Sequence, residues 1–270
     1  MPILDKTTNL KPKVNAIEKC LRILDCFSPQ VSELSLTQLS NMLKIPKSTL
    51  LNMIRTLESA GYLFKVNNSQ NYQLGFKLME LSYNVRSSLS VVQYAIPIME
   101  ELLAQTNETI YFTTYMNGRV LYLECVYPNK RAVCYSTNGR TQPMHCTGCG
   151  KAMLSYMNIN EVDAIIAKWG LPRRTPNTIT DPAELKKALA IYRGLGYAID
   201  NEEESHNIRC VAMAIRSSSG SVVGALSICG SPLTITDEKI PEYAKLLSGT
   251  CNYLSHHAHL FPPMRMQKTG

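Results

Sequence analysis

The 270-residue sequence has no apolar run near the roughly 18–20 residues needed to cross a bilayer, which excludes a helical membrane protein. Its opening stretch, MPILDKTTNLKPK, has no apolar signal core, so the expected location is cytoplasmic. No internal repeat and no low-complexity segment is present. Charged residues reach only 18%, below the excess of a disordered chain, and a 45% hydrophobic content can supply a core. Cysteine is not scarce, but the nine are scattered and odd in number, which argues for reduced thiols over a disulfide framework.

What is present suggests two domains, since the length exceeds that of one ordinary domain. The net charge of +7 permits a polyanionic partner without establishing one. Its distribution says more: residues 1–75 hold nine Lys and Arg against five acids, over half the excess in the first third. There, Val14, Ile17, Leu21, Leu24 and Phe27 recur at helical spacing and predict an inward stripe ending near Pro29. A second helix is expected from Ser35, which with Gln38 makes an S-x-x-Q capping box, and a third from Pro46 to Gly61 with Leu50, Ile54 and Leu57 inward. Two short strands, 62–66 and 72–74, then flank a polar turn.

That order predicts a winged helix-turn-helix over 13–76, preceded by a flexible tail at 1–12. The start of its second helix would enter the major groove of double-stranded operator DNA. Lys47, Arg55, Ser48 and Thr49 can donate to phosphates, Asn52 or Thr49 can read a base edge, and Lys65 can grip the backbone from the wing. Periodicity alone leaves open a mere packing module whose cations form a solvated face.

A linker helix is expected over 77–90, with interruptions near Ser87-Ser88 and at Pro97, and a mixed α+β domain over 91–259, ending in a tail at 260–270. Strands are predicted at 109–116, 120–126, 132–136, 211–216 and 222–228, and helices at 150–157, 161–169, 182–195 and 237–257. The sheet should be mostly antiparallel and covered by helices.

With these residues laid out, the chain resembles the IclR family of bacterial transcriptional regulators from about Val14 to His257. The resemblance rests on LSLTQLSNMLKIPKSTLLNMIRTLESAGYL and on three ordered segments, GRTQPMHCTGCGKAML, GYAIDNEEESHNIRCVAMAI and SVVGALSICGS. It implies a GAF-like effector-binding domain, homodimerisation through the DNA-binding domains, often a dimer of dimers, and neither catalysis nor a cofactor. It also implies a small-molecule effector, an organic acid or a sugar-derived or aromatic metabolite, and repression as the usual outcome. Carried onto this sequence, the pocket positions are Gly148, Cys149, Asp200, Ile208, Cys210, Ser227 and Cys229.

Gly148 and Gly150 would let backbone approach a ligand, and a helix starting at Gly150 would offer its amides to an anion. Cys149 and Cys229 stand where the family often has Ala and Ser, and the carried-over set contains no basic residue. Ligand binding is expected to act on the DNA-binding domain through the linker helix.

Two alternatives compete. Cys146, Cys149, Cys210 and Cys229, with His145 and Asp200, could hold zinc or sense thiol chemistry, although a single C-x-x-C is weak support. Cys149 or Cys210 with His145 or His206 and Asp200 could imitate a nucleophile, base and orienter. The spacing His256-x-x-His259, with His257 between, is metal-like but suits a solvated helix end.

Overall fold

The computed structural model describes residues 14–128 and 138–261. The strand expected at 132–136 and the tail at 1–12 lie outside the described residues, as does most of the C-terminal tail. The chain divides into two compact units, one ending at Ser88 and the other beginning at Leu89.

The first unit contains α1 (Asn15–Leu24), β1 (Leu34–Ser35), α2 (Leu36–Leu43), α3 (Lys47–Ser59), β2 (Leu63–Lys65), β3 (Asn71–Leu74) and α4 (Lys77–Ser88). Ser35 caps α2 through a reciprocal box with Gln38. Lys44 takes a left-handed conformation in the tight turn to α3, and Ser40 Oγ donates to the Ile45 carbonyl at 2.7 Å. Pro46 is the N-cap of α3 rather than its first helical residue.

The wing has three strands in the order β1-β3-β2, not two. Glu33 beside β1 accepts from the side-chain amides of Asn71 and Gln73. A side chain at Gly75 would strike the Gly61 carbonyl at 2.0 Å, so the chain leaving β3 can cross the end of α3 only with glycine there.

The core joins Ile23, Phe27, Leu39, Leu43, Leu50, Ile54 and Leu63. The expected inward stripe of α1 is corrected here. Ile23 and Phe27 are buried, whereas Val14, Ile17 and Leu21 are more than half exposed. The helix carries two apolar faces, and this unit buries the one that bears Ile23.

The second unit contains α5 (Ser90–Thr106), β4 (Thr109–Met116), β5 (Arg119–Val126), β6 (Thr141–Pro143), α6 (Gly148–Leu154), α7 (Ile159–Trp169), α8 (Pro182–Leu195), β7 (Ala198–Asn201), β8 (Arg209–Arg216), β9 (Val222–Gly230) and α9 (Ile240–His256). Pro97 lies inside α5 without ending it. All six strands pair antiparallel in the order β6-β5-β4-β9-β8-β7. Asn117 and Gly118, both at positive φ, make the two-residue turn of the β4–β5 hairpin.

Alternation along each strand separates two cores. Ile110, Phe112, Val211, Ile215, Leu226 and Ile228 meet α5 and α9 on one face. Ala212, Ala214 and Ala225 face α6 and α8 on the other. Those small side chains let α6 approach closely: a Cβ at Gly148 would stand 3.2 Å from that of Ala212.

Candidate functional site

On the α6 side, the sheet and the loops above it enclose a half-open cavity of about 560 Å³. Strand pairing builds its floor. Asp200, Cys210 and Cys229 are successive cross-strand partners on β7, β8 and β9, while Tyr111 of β4 lies opposite Ser227. All seven residues singled out from the sequence, Gly148, Cys149, Asp200, Ile208, Cys210, Ser227 and Cys229, line this cavity.

The first segment departs from expectation. Helix α6 begins at Gly148, two residues before the expected start, because Thr147 caps it. The Thr147 hydroxyl accepts from the Gly150 amide at 3.2 Å and donates to the Pro143 carbonyl at 2.9 Å. Gly150 is needed for packing, since a side chain there would meet the Met144 carbonyl at 2.2 Å, and it does not line the cavity. Gly148 and Cys149, in the first turn, keep amides with no acceptor inside the helix.

Joined to the cavity through Asp200 is a buried charge cluster that sequence reading missed. Lys151 of α6, wholly removed from solvent, pairs with Glu203, whose other carboxylate oxygen has no partner. The Glu203 amide donates to Asp200 at 2.8 Å. Burial pushes the Asp200 carboxyl up to about 7 against the pull of Lys151 and this hydrogen bond.

The cations absent from the carried-over set are Arg140, from the start of the first segment, and Arg173 and Arg174, from a loop outside the three segments; all line the cavity, together with His206 and Glu204. The loop bearing Arg173 and Arg174 is tied down where Thr178 donates to the Glu203 carbonyl at 2.7 Å and Thr175 to that of Glu202 at 2.6 Å. Arg174 pairs with Glu204 at 3.3 Å, and Arg173 donates to the Pro176 carbonyl. Tyr111 and Tyr122, edge to face, add aromatic wall. Burial pushes the Tyr122 hydroxyl well above its ordinary value, which keeps that side chain uncharged.

The four cysteines of the thiol alternative are not equivalent. Cys146 is buried outside the cavity lining, and burial pushes its thiol up to about 12. Burial raises Cys149 to about 11 against hydrogen bonds with Ser227 and Thr113. Cys210 and Cys229 are free thiols in contact. Among the described residues, no group of three or more His, Cys, Asp or Glu is placed to hold a metal ion. His145 contacts the Pro172 carbonyl at 3.1 Å and does not line the cavity, which separates it from the imitated catalytic set. His257 stacks on Tyr94 and packs at a tilt against Tyr253.

In the first unit, Lys47, Ser48, Thr49, Asn52 and Arg55 are all exposed on α3, opposite the buried Leu50, Ile54 and Leu57, and Lys65 is exposed on β2. Among the described residues, no helix is long and apolar enough to cross a membrane.

Known proteins resemble this chain in sequence and fold. The family description "Bacterial transcriptional regulator IclR C-terminal" matches residues 83–256, and "IclR helix-turn-helix domain" matches 16–66. XynR, an HTH-type transcriptional regulator of Escherichia coli, is 30% identical over 87% of this chain and 94% of its own. AllR, an HTH-type transcriptional repressor of the same organism, is 28% identical over 89% of each. A crystal structure of an IclR homolog from Microbacterium hydrocarbonoxydans, complexed with 4-hydroxybenzoate, superposes with a TM-score of 0.70 at 22% identity, covering 88% of this chain and 98% of that one. The chain therefore belongs to the IclR family of bacterial transcriptional regulators, which are DNA-binding regulators and not enzymes.

Proposed function

We propose that this protein is a repressor that binds double-stranded operator DNA through α3 and the wing and is controlled by a small organic acid held in the cavity of its second unit. The observation that carries the ligand half is the convergence of seven residues from three separate segments on one cavity, with three arginines at its walls. A cavity of about 560 Å³ has the size of a metabolite site, lying within the roughly 300–1,000 Å³ typical of ligand pockets. The arginines suit a carboxylate, and the amides of Gly148 and Cys149 offer a second set of donors. Ser227, Cys210, Cys229 and the tyrosines suit the hydroxylated or aromatic remainder, with Ile208 supplying apolar contact. The relative bound to 4-hydroxybenzoate supports this chemistry, and AllR, named a repressor, supports the direction of control.

On DNA, Lys47 and Arg55 neutralise phosphates or meet guanine, Ser48 and Thr49 donate to the backbone, Asn52 reads a base edge and Lys65 holds the flank. The working domains are the winged helix at 13–76, a linker helix at 77–90 and the effector domain at 91–259.

A homodimer presents two recognition helices to a palindromic site, and a dimer of dimers extends the contact. The exposed Ile17 and Leu21 of α1 and Met79, Tyr83 and Val85 of α4 support pairing through the first unit. Ligand control follows if the ligand binds the DNA-competent and DNA-incompetent states with different affinity.

The test is fluorescence anisotropy on genomic fragments selected by the purified protein, with benzoates and sugar acids first screened by thermal shift. A stabilising acid that changes DNA affinity supports the reading. Equal DNA affinity with and without that acid would overturn ligand control, and failure to select DNA would overturn the regulator's DNA half.

A further inference from the structure

Cys210 and Cys229 are direct cross-strand partners on β8 and β9, and the Cys210 thiol donates to Sγ of Cys229 at 2.8 Å. Cα atoms directly opposed in an antiparallel pair lie about 4.5–5.5 Å apart, inside the roughly 4.4–6.8 Å range of disulfides. The pair can thus close by side-chain rotation alone. Both residues line the cavity, so a small molecule that enters it comes up against them. Cys146 and Cys251 are as buried but lie outside the cavity lining, and Cys149 is held by Ser227 and Thr113.

We propose that Cys210 and Cys229 form a redox modification site, which a hydroperoxide small enough to enter the cavity converts into a disulfide across its floor. The hydrogen bond sets the roles. Cys210 is the donor, and that bond together with burial pushes its thiol well up, so it keeps its proton. Cys229, whose sulfur accepts the bond, is the nucleophile.

The Cys229 sulfur attacks the terminal peroxide oxygen and the O–O bond breaks. The leaving oxygen takes the proton that Cys229 gave up and departs as water or an alcohol, which leaves Cys229 as a sulfenic acid. The Cys210 sulfur then attacks the sulfenic sulfur, and the sulfenic hydroxyl leaves with the Cys210 proton as water. Two thiols and one hydroperoxide give one disulfide, one alcohol or water, and one water; two electrons pass from sulfur to oxygen. The bridge removes the Cys210 S–H donor and locks β8 to β9 where ligand would rest. It does not depend on which acid the cavity binds.

The experiment treats full-length, reduced protein with a slight excess of hydrogen peroxide, blocks remaining thiols in denaturant, and maps peptides by mass spectrometry. The expected result is a fall from nine titratable thiols to seven, a mass lower by about two hydrogens, and a Cys210–Cys229 cross-linked peptide that dithiothreitol reverses. In Cys229→Ser that peptide disappears. In Cys210→Ser, where no resolving thiol stands opposite, dimedone labels Cys229. The wild-type map decides even if a variant fails to fold. Nine persisting thiols, oxidation confined to the less buried Cys20, Cys26 or Cys125, or a cross-link from Cys229 to Cys149 would each overturn the proposal.

Discussion

The two units carry their candidate residues in opposite ways. On α3 every one faces solvent, and the fold beneath rests on the buried Leu50, Ile54 and Leu57. Around the cavity the reverse holds: Cys149, Asp200, Cys210, Ser227 and Cys229 are buried, and Asp200 adjoins the ion pair that joins α6 to the segment after β7. Recognition of a rigid external polyanion needs charge displayed on a surface. Enclosing a small molecule needs polar groups brought inside, where each must also be satisfied. Function and stability should therefore separate in the first unit and entangle in the second.

The largest expected break comes from Lys151→Met, which leaves Glu203 buried without its cation. A loss of about 3–5 kcal/mol is expected in denaturant unfolding, with much of it regained in Lys151→Met/Glu203→Leu. If Lys151→Met were neutral, the entanglement would not rest on this pair.

Next in size is the pH response of Asp200. Its folded value, about 7, stands above the ordinary carboxylate value of 3.8, so the protonated form is favoured by folding. That stability is fully present below pH 3.8 and is lost as pH rises through 7. Between pH 5 and pH 7 the loss should be about 2 kcal/mol, and Asp200→Asn should flatten that part of the profile. An unchanged slope in the variant would show that other groups set it.

Lys47→Ala/Arg55→Ala sharpens the comparison from the other side. DNA affinity should fall about tenfold or more, with a shallower salt dependence, while unfolding stability stays within about 0.5 kcal/mol. Comparable losses in both assays would mean that these side chains hold the fold as well. The smallest effect is expected from Ser35→Ala, about 1 kcal/mol from loss of the α2 cap, readable as a small shift in the denaturation midpoint.

Much of this was legible from sequence. Helix α2 carries its capping box and periodicity locally, so its start and buried face could be read residue by residue; the buried face of α3 was legible too, though Pro46 is its N-cap, and α8 runs over the expected 182–195. The seven cavity residues were reachable through the family resemblance and strand alternation. Strands β1, β6 and β7 were missed because they are two to four residues long and exist only through their partners.

Sequence alone thus determined the order of elements, the helix-turn-helix with its outward cations, the family, and a thiol-rich cavity, because capping, periodicity and motif order are local properties of the chain. Tertiary structure alone decided which face of α1 is buried, that Lys151 pairs with Glu203, that Arg140, Arg173 and Arg174 bring cations to the cavity, and that Cys210 stands opposite Cys229 and not Cys149. The physical reason is the same in each case: these facts depend on strand register and on which surfaces meet, and residues 19 to 52 positions apart acquire a common environment only when the sheet has closed.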